Sequence, residues 1–233
     1  MRKTIVVVDD FYDDPHAVRR HALSQGYCFP YQRDAAIESG EAAASWMTSR
    51  FLTYDRCRFK NSAALRQSLE AATGEPIDLT HWQLDFPLDA EGKPDRDRIG
   101  EAHSCLWNCC FHVKFNRLQQ LGEGVHNHVT DAWNSVGEDG WSGLLYLSPD
   151  APLEGGLKLW RPVDARRRFD WMTSKHNWEL IDSLGNVFNR LLLVRGDVPH
   201  SGAAGWGDSL ATGRMFQTFF FKSRKPQLGR HTP

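Results

Sequence analysis

The segment VHNHVTDAW, residues 125–133, places two histidines one residue apart and an aspartate three residues beyond the second. Imidazole and carboxylate are common ligands of first-row transition metals. An i, i+2 spacing on a β-strand sends both side chains to one face, so His126 and His128 can reach a single ion. His200 falls in RGDVPHSGAAGWG, after another apolar run and among glycines. Two strand ends from distant parts of the chain therefore offer imidazole, as expected of a metal site at the rim of a sheet. The competing reading is a set of loop-end histidines that meet only water. The other seven histidines, His16, His21, His81, His103, His112, His176 and His231, lack such neighbours and suit packing or surface roles.

Cysteine does not compete for this role. Cys28, Cys57, Cys105, Cys109 and Cys110 are odd in number and include no Cys-x-x-Cys pair, which argues for reduced thiols rather than a disulfide framework. Cys105, Cys109 and Cys110 sit in one apolar run and read as small core residues. Adjacent cysteines on a strand point to opposite faces and do not share a metal.

The elements that must position the histidines follow from pattern. TIVVV (4–8) is a short β-branched strand. A helix is predicted next, with Asp14 as N-cap, Pro15 at its first position and Gly26 as its stop. A second helix spans 62–72, with Leu65, Leu69 and Ala72 at helical spacing and Gly74 beyond. Residues 86–100 read as an exposed connector. From residue 104 the texture turns to strands: one long candidate at 104–116, then GWSGLLYLS, GGLKLW, NRLLLVRG and GRMFQTFFFKS. In the last, apolar residues occupy both faces, so both sides are expected to be covered. Residues 161–186 are polar and dotted with tryptophan, which allows a helix or a lid. This order predicts an α+β chain with a double-stranded β-helix (jelly-roll, cupin-like) core and N-terminal helices packed on one sheet. One domain is expected over 1–233, with helical support in 1–100 and the core in 101–225.

Composition narrows the function. With 233 residues and 41% hydrophobic content the chain can bury a real core. A net charge of -1 leaves no basic excess for a phosphate backbone, so nucleic acid is not expected as a partner. The apolar runs are far short of a membrane span, and the four apolar residues after MRKT do not make a signal peptide. A soluble, cytoplasmic protein is expected; the oligomeric state is not encoded in any motif. DARRR (164–168) reads as a solvated face, and some of the nine tryptophans could line a substrate groove.

Residues 125–221 resemble the catalytic half of a 2-oxoglutarate/Fe(II)-dependent oxygenase, in particular the prolyl-hydroxylase-like branch and its bacterial relatives. The resemblance lies in the succession VHNH, LLYLSPDAPLEGG, LLLVRGDVPHSG and GRMFQTFFF, with the opening IVVVDDFYDDPHAVR. It implies a jelly-roll fold, Fe(II) and 2-oxoglutarate as cofactors, dioxygen, and hydroxylation of a small-molecule or peptide substrate. It further implies that Arg214, fourteen residues after His200, holds the distal carboxylate of 2-oxoglutarate, with Tyr146 beside it. Gln217, three residues on from Arg214, falls on the opposite face of a regular strand and would need a bulge to join it.

The resemblance departs at residue 128, a histidine where the family places aspartate or glutamate. His126, His128 and His200 can form a three-histidine site. Alternatively Asp131 reaches back to complete the metal set, or His128 comes first with Thr130 in the carboxylate position, as in halogenase-type variants. The three-histidine set ranks first by spacing. It also admits a cupin-like dioxygenase that needs no 2-oxoglutarate, or a non-catalytic binding module.

Overall fold

Asp14 and Pro15 open the first helix. The Asp14 carboxylate accepts a hydrogen bond from the Ala17 N–H at 2.8 Å, and Pro15 occupies the first turn, where no N–H is needed. The result is α1 (Pro15–Leu23), which ends on Ser24 rather than at Gly26, because the Ser24 N–H already closes onto carbonyls of the last turn. The second helix, α2 (Ala63–Thr73), is capped by Ser62, and Gly74 closes it in the left-handed conformation at φ 77°. A single turn, α3 (Leu79–Trp82), follows. The structure is a computed structural model that describes residues 2–28, 47–49, 59, 61–82, 90, 107–115, 124–129, 134–164 and 177–224.

Ten strands are described: β1 (Ile5–Val8), β2 (Tyr27–Cys28), β3 (Met47–Ser49), β4 (Phe111–Lys114), β5 (Trp141–Tyr146), β6 (Leu157–Pro162), β7 (Trp178–Leu184), β8 (Leu191–Arg195), β9 (His200–Gly202) and β10 (Arg214–Phe221). They form a seven-stranded sheet, β1-β8-β5-β10-β4-β3-β2, and a three-stranded sheet, β7-β6-β9. Every pairing is antiparallel. Leu144, Tyr146, Leu192, Val194 and Phe216 of the larger sheet pack with Leu157 and Leu159 of the smaller, so the two sheets face each other across one apolar layer. The outer face of the larger sheet is covered by Val18 and Ala22 of α1 and by Leu65 and Leu69 of α2. This is an α+β jelly roll with helices on one sheet.

β10 is the spine of the fold, with all eight residues buried. Met215, Phe219 and Phe221 enter the layer under the helices, whereas Phe216 enters the layer between the sheets. Gln217 also faces the helical side: it accepts from the Tyr12 hydroxyl at 2.8 Å and donates to the Cys109 carbonyl at 3.2 Å. No bulge brings it round to Arg214.

The helical layer is tied to the sheet by an ion pair. Glu75, just past α2, binds Arg195 at the end of β8. The same carboxylate accepts from Trp141 Nε1 at 3.1 Å and Ser223 Oγ at 2.5 Å, and the Arg195 guanidinium lies 3.9 Å from the centre of the Trp141 ring system. Burial alone would raise the Glu75 pKa, but the hydrogen bonds from Arg195, Ser223 and Trp141 outweigh it and bring the value down to about 2.

Two elements differ from the sequence expectation. The long strand expected over 104–116 is described only at Phe111–Lys114, because residues 107–109 turn and Cys109 has φ 65°. Within 161–186 the described residues contain a strand, β7, rather than a helix; it hydrogen-bonds to β6 as the edge of the small sheet. Most of the 86–100 connector, Cys57, Cys105 and residues 165–168 lie outside the described residues. Among the described residues no helix is long and apolar enough to cross a membrane.

Candidate metal centre

His126 and His200 meet through backbone pairing. The His126 N–H donates to the His200 carbonyl at 3.0 Å, and the His200 N–H returns to the His126 carbonyl at 2.9 Å. This single bridge extends the small sheet beyond β9 and sets the two rings 4.6 Å apart. The His128 N–H donates to the Gly196 carbonyl at 2.8 Å, which brings its ring to 5.0 Å from His126 and 5.2 Å from His200. One ligand nitrogen from each lies within 4.8 Å of the other two. Three nitrogens sharing one ion at normal bond lengths stand roughly 3 to 3.5 Å apart, so small rotations of the rings close the set.

The ring orientations suit ligation. His126 Nδ1 lies 2.7 Å from the Gly124 carbonyl, and His200 Nδ1 lies 2.8 Å from the Val198 carbonyl. A carbonyl only accepts, so each Nδ1 carries the hydrogen and each Nε2 keeps its lone pair. Such outer contacts fix tautomer and ring orientation in metal-binding histidines. Burial, with His126 and His128 adding to it, holds the His200 pKa well below its ordinary value, which keeps the ring neutral. His128 is buried and meets the Phe220 ring edge to face at 5.0 Å. Among the described residues no carboxylate joins the cluster. Asp131 and Thr130 lie outside the described residues.

Beyond the histidines, the inner face of β10 carries an unusual group. Arg214 is only 1% exposed. Its Nε donates to the Gly155 carbonyl at 2.9 Å and Nη2 to the Gly156 carbonyl at 3.4 Å, with Phe216 under the guanidinium at 4.7 Å. Among the described residues no acid lies within ion-pair distance of Arg214, and none of the buried residues is Asp or Glu. A buried cation without a counter-ion is costly, so its presence calls for an anion from outside the described chain. Gly202 lies against the guanidinium. A Cβ there would stand 3.7 and 3.8 Å from the two terminal nitrogens of Arg214. Gly202 is two residues beyond His200 on β9, on the same strand face and therefore roughly 6 to 7 Å along it.

Tyr146, paired with Phe216, adds a second polar group beside Arg214. Its hydroxyl is buried, faces Arg214 and, among the described residues, makes no hydrogen bond of good geometry. Burial pushes its pKa up to about 12, with the nearby Arg214 opposing, so it stays a phenol that can donate. The sequence singled out Arg214 and Tyr146, and the fold brings them together. It did not single out Lys114, which alternates with His112 in FHVK and so shares the inner face of β4 with it; His112 takes the packing role expected of it. His112 stacks on Phe216 at 5.2 Å, and its Nε2 lies 3.0 Å from Thr218 Oγ1. Full burial, with Arg214 adding to it, lowers its pKa to about 3. Among the described tryptophans of this half, Trp160 and Trp178 pack on Val125, and Trp160 Nε1 donates to Ser201 at 2.9 Å.

No protein-family model matches the chain, and no match is found among curated proteins. Solved structures do match. The non-haem α-ketoglutarate-dependent epimerase SnoN from nogalamycin biosynthesis aligns with a TM-score of 0.50 at 13% identity, over 93% of this chain and 76% of its own. The fold is that of the 2-oxoglutarate/Fe(II)-dependent oxygenases. A Pseudomonas putida prolyl-4-hydroxylase aligns at 0.44 and 11% identity, over 95% of this chain and 93% of its own. HygX from Streptomyces hygroscopicus, with nickel, 2-oxoglutarate and hygromycin B bound, aligns at 0.47 and 11% identity, over 94% and 83%.

Proposed function

We propose that this chain is a mononuclear non-haem Fe(II)/2-oxoglutarate-dependent oxygenase that hydroxylates a small-molecule, amino-acid or peptide substrate. One observation carries the reading: a buried guanidinium with no acid partner among the described residues stands beside the strand that presents His200. His126, His128 and His200 would hold the metal, and carbonyl contacts already orient the rings of His126 and His200. Arg214 and Tyr146 would take the distal carboxylate of the oxoacid, one as a fork of donors and the other through its phenol. The bound metal and oxoacid together supply dioxygen activation coupled to decarboxylation. The chain's own part is to orient the oxoacid and to keep water out with Leu144, Leu192, Phe216 and Phe220. SnoN is solved in complex with iron and α-ketoglutarate, which supports the same cofactor here.

The all-imidazole donor set favours one other reading, a cupin-like dioxygenase that uses no oxoacid. An anaerobic titration separates the two. Iron(II) is added to metal-free protein, followed by 2-oxoglutarate, and the visible charge-transfer band of the chelate is followed. Saturation at one equivalent of iron is the expected result. Iron binding without a band would favour the cupin-like chemistry. Absence of iron binding would overturn the enzyme reading and leave a jelly-roll binding module.

A further inference from the structure

The inner wall carries a second cation that the reading above does not use. Lys114 on β4 is register-paired with Arg214 on β10, so the two side chains leave neighbouring strands on the same face. Their heads end on one rung of the small sheet. Arg214 Nη2 donates to the Gly156 carbonyl, the Ala203 N–H donates to that same carbonyl at 3.0 Å, and Lys114 Nζ donates to the Ala203 carbonyl at 3.0 Å. Like charges directly opposite each other on a sheet repel, and more strongly where water is excluded. Among the described residues no carboxylate lies within ion-pair distance of either group, and no Asp or Glu is buried. Burial first, and the Arg214 charge second, bring the Lys114 pKa down to about 7. An isolated pair of this kind is a standing cost to the fold. An anion bound between the two heads removes it.

Resting on the reading as a 2-oxoglutarate site, we propose that Lys114 is a second anchor for the distal carboxylate, so that Lys114, Arg214 and Tyr146 bind it from three strands. The carboxylate would bridge the two cations and relieve their repulsion. Lys114 thereby makes the floor of the site selective for oxoacids with a distal negative charge over those without one.

The test is anaerobic titration of the iron(II) protein with 2-oxoglutarate and, separately, with 2-oxobutyrate. Both chelate a metal through the keto-acid end, but only the first has a distal carboxylate. Lys114→Met is expected to weaken 2-oxoglutarate binding roughly 10- to 100-fold, the range carried by a charge-assisted hydrogen bond. It should leave 2-oxobutyrate and iron(II) affinities as in the wild type. Lys114→Arg should recover most of the lost affinity. Iron(II) binding reports that each variant is folded, and Lys114→Gln, a smaller neutral change, repeats the comparison if Met disturbs the strand. Equal weakening for both oxoacids, or none for either, would overturn the proposal and reduce Lys114 to a strand contact. A wild-type protein that gives a band with neither oxoacid would overturn both this proposal and the reading beneath it.

Discussion

Replacing Arg214 with methionine separates the cost of the buried cation from its use. Methionine keeps an unbranched apolar stem and removes the charge. Two hydrogen bonds are lost, each worth about 1.5 to 3 kcal/mol because the donor is charged. Neither acceptor is orphaned: Gly155 O still accepts from Asn186 Nδ2 at 3.3 Å, and Gly156 O from the Ala203 N–H at 3.0 Å. Against this loss stands relief from burying an unpaired charge, several kcal/mol per ion. The two terms nearly cancel, and the net change in stability is expected within about 2 kcal/mol, in either direction. For a chain of this size each kcal/mol moves Tm by about 2 to 4 °C, so thermal unfolding of the metal-free protein should shift by less than about 8 °C. Affinity for 2-oxoglutarate should fall much further. Removing one side of a buried charge pair costs 2 to 5 kcal/mol or more, a loss of at least about 30-fold in the anaerobic titration, while iron(II) still binds. A Tm loss well beyond 10 °C would show that the guanidinium is a structural pin on Gly155 and Gly156. Unchanged oxoacid affinity would remove Arg214 from the site. Either result defeats the reasoning.

Three further outcomes are expected. His200→Ala should abolish the rise in Tm that iron(II) gives the wild type, while metal-free stability changes little; a retained iron-dependent shift would take His200 out of the metal set. Gly202→Leu should fill the space beside Arg214 and block 2-oxoglutarate without loss of iron(II), read as disappearance of the charge-transfer band; wild-type affinity in that variant would misplace the oxoacid. Glu75→Gln leaves Arg195 buried without its acid and should cost about 2 to 4 kcal/mol in urea unfolding, the low side of the range because the carboxylate is partly exposed. The sign with pH follows from its lowered pKa. The unfolded state takes up its proton near pH 4.5 and the folded state only near 2, so wild-type stability falls as pH drops through that window. The fall should be shallower in Glu75→Gln, and identical slopes would refute the assignment.

Much of this was legible because it is written in side-chain pattern. The alternation in RMFQTFFF gave a strand covered on both faces, and Asp14-Pro15 and Ser62 with Gly74 gave helix ends. The i, i+2 histidines predicted a shared face, and the rings do converge. What stayed hidden depends on backbone. A positive φ at Cys109 leaves no mark in composition, so the long strand was not seen to break. β7 is an edge strand with only Trp178 buried, and WELIDSL has no periodic apolar face to announce it. The carbonyls of Gly124 and Val198 that orient the imidazoles belong to no side chain at all. Lys114 was hidden differently: its parity with His112 was readable, but its partner across the strand was not.

The double burial of β10 has a consequence for how the protein tolerates change. Residues 215, 217, 219 and 221 support the helical layer, whereas 214, 216, 218 and 220 face the layer between the sheets. Errors at the first set should appear as lost yield of soluble chain. Errors at the second should cost 2-oxoglutarate binding first at Arg214, and binding together with stability at Phe216, which is also core. A library scored separately for abundance and for turnover would then split these eight consecutive codons into two interleaved phenotypes. Each neighbour along the gene would fail for a different reason.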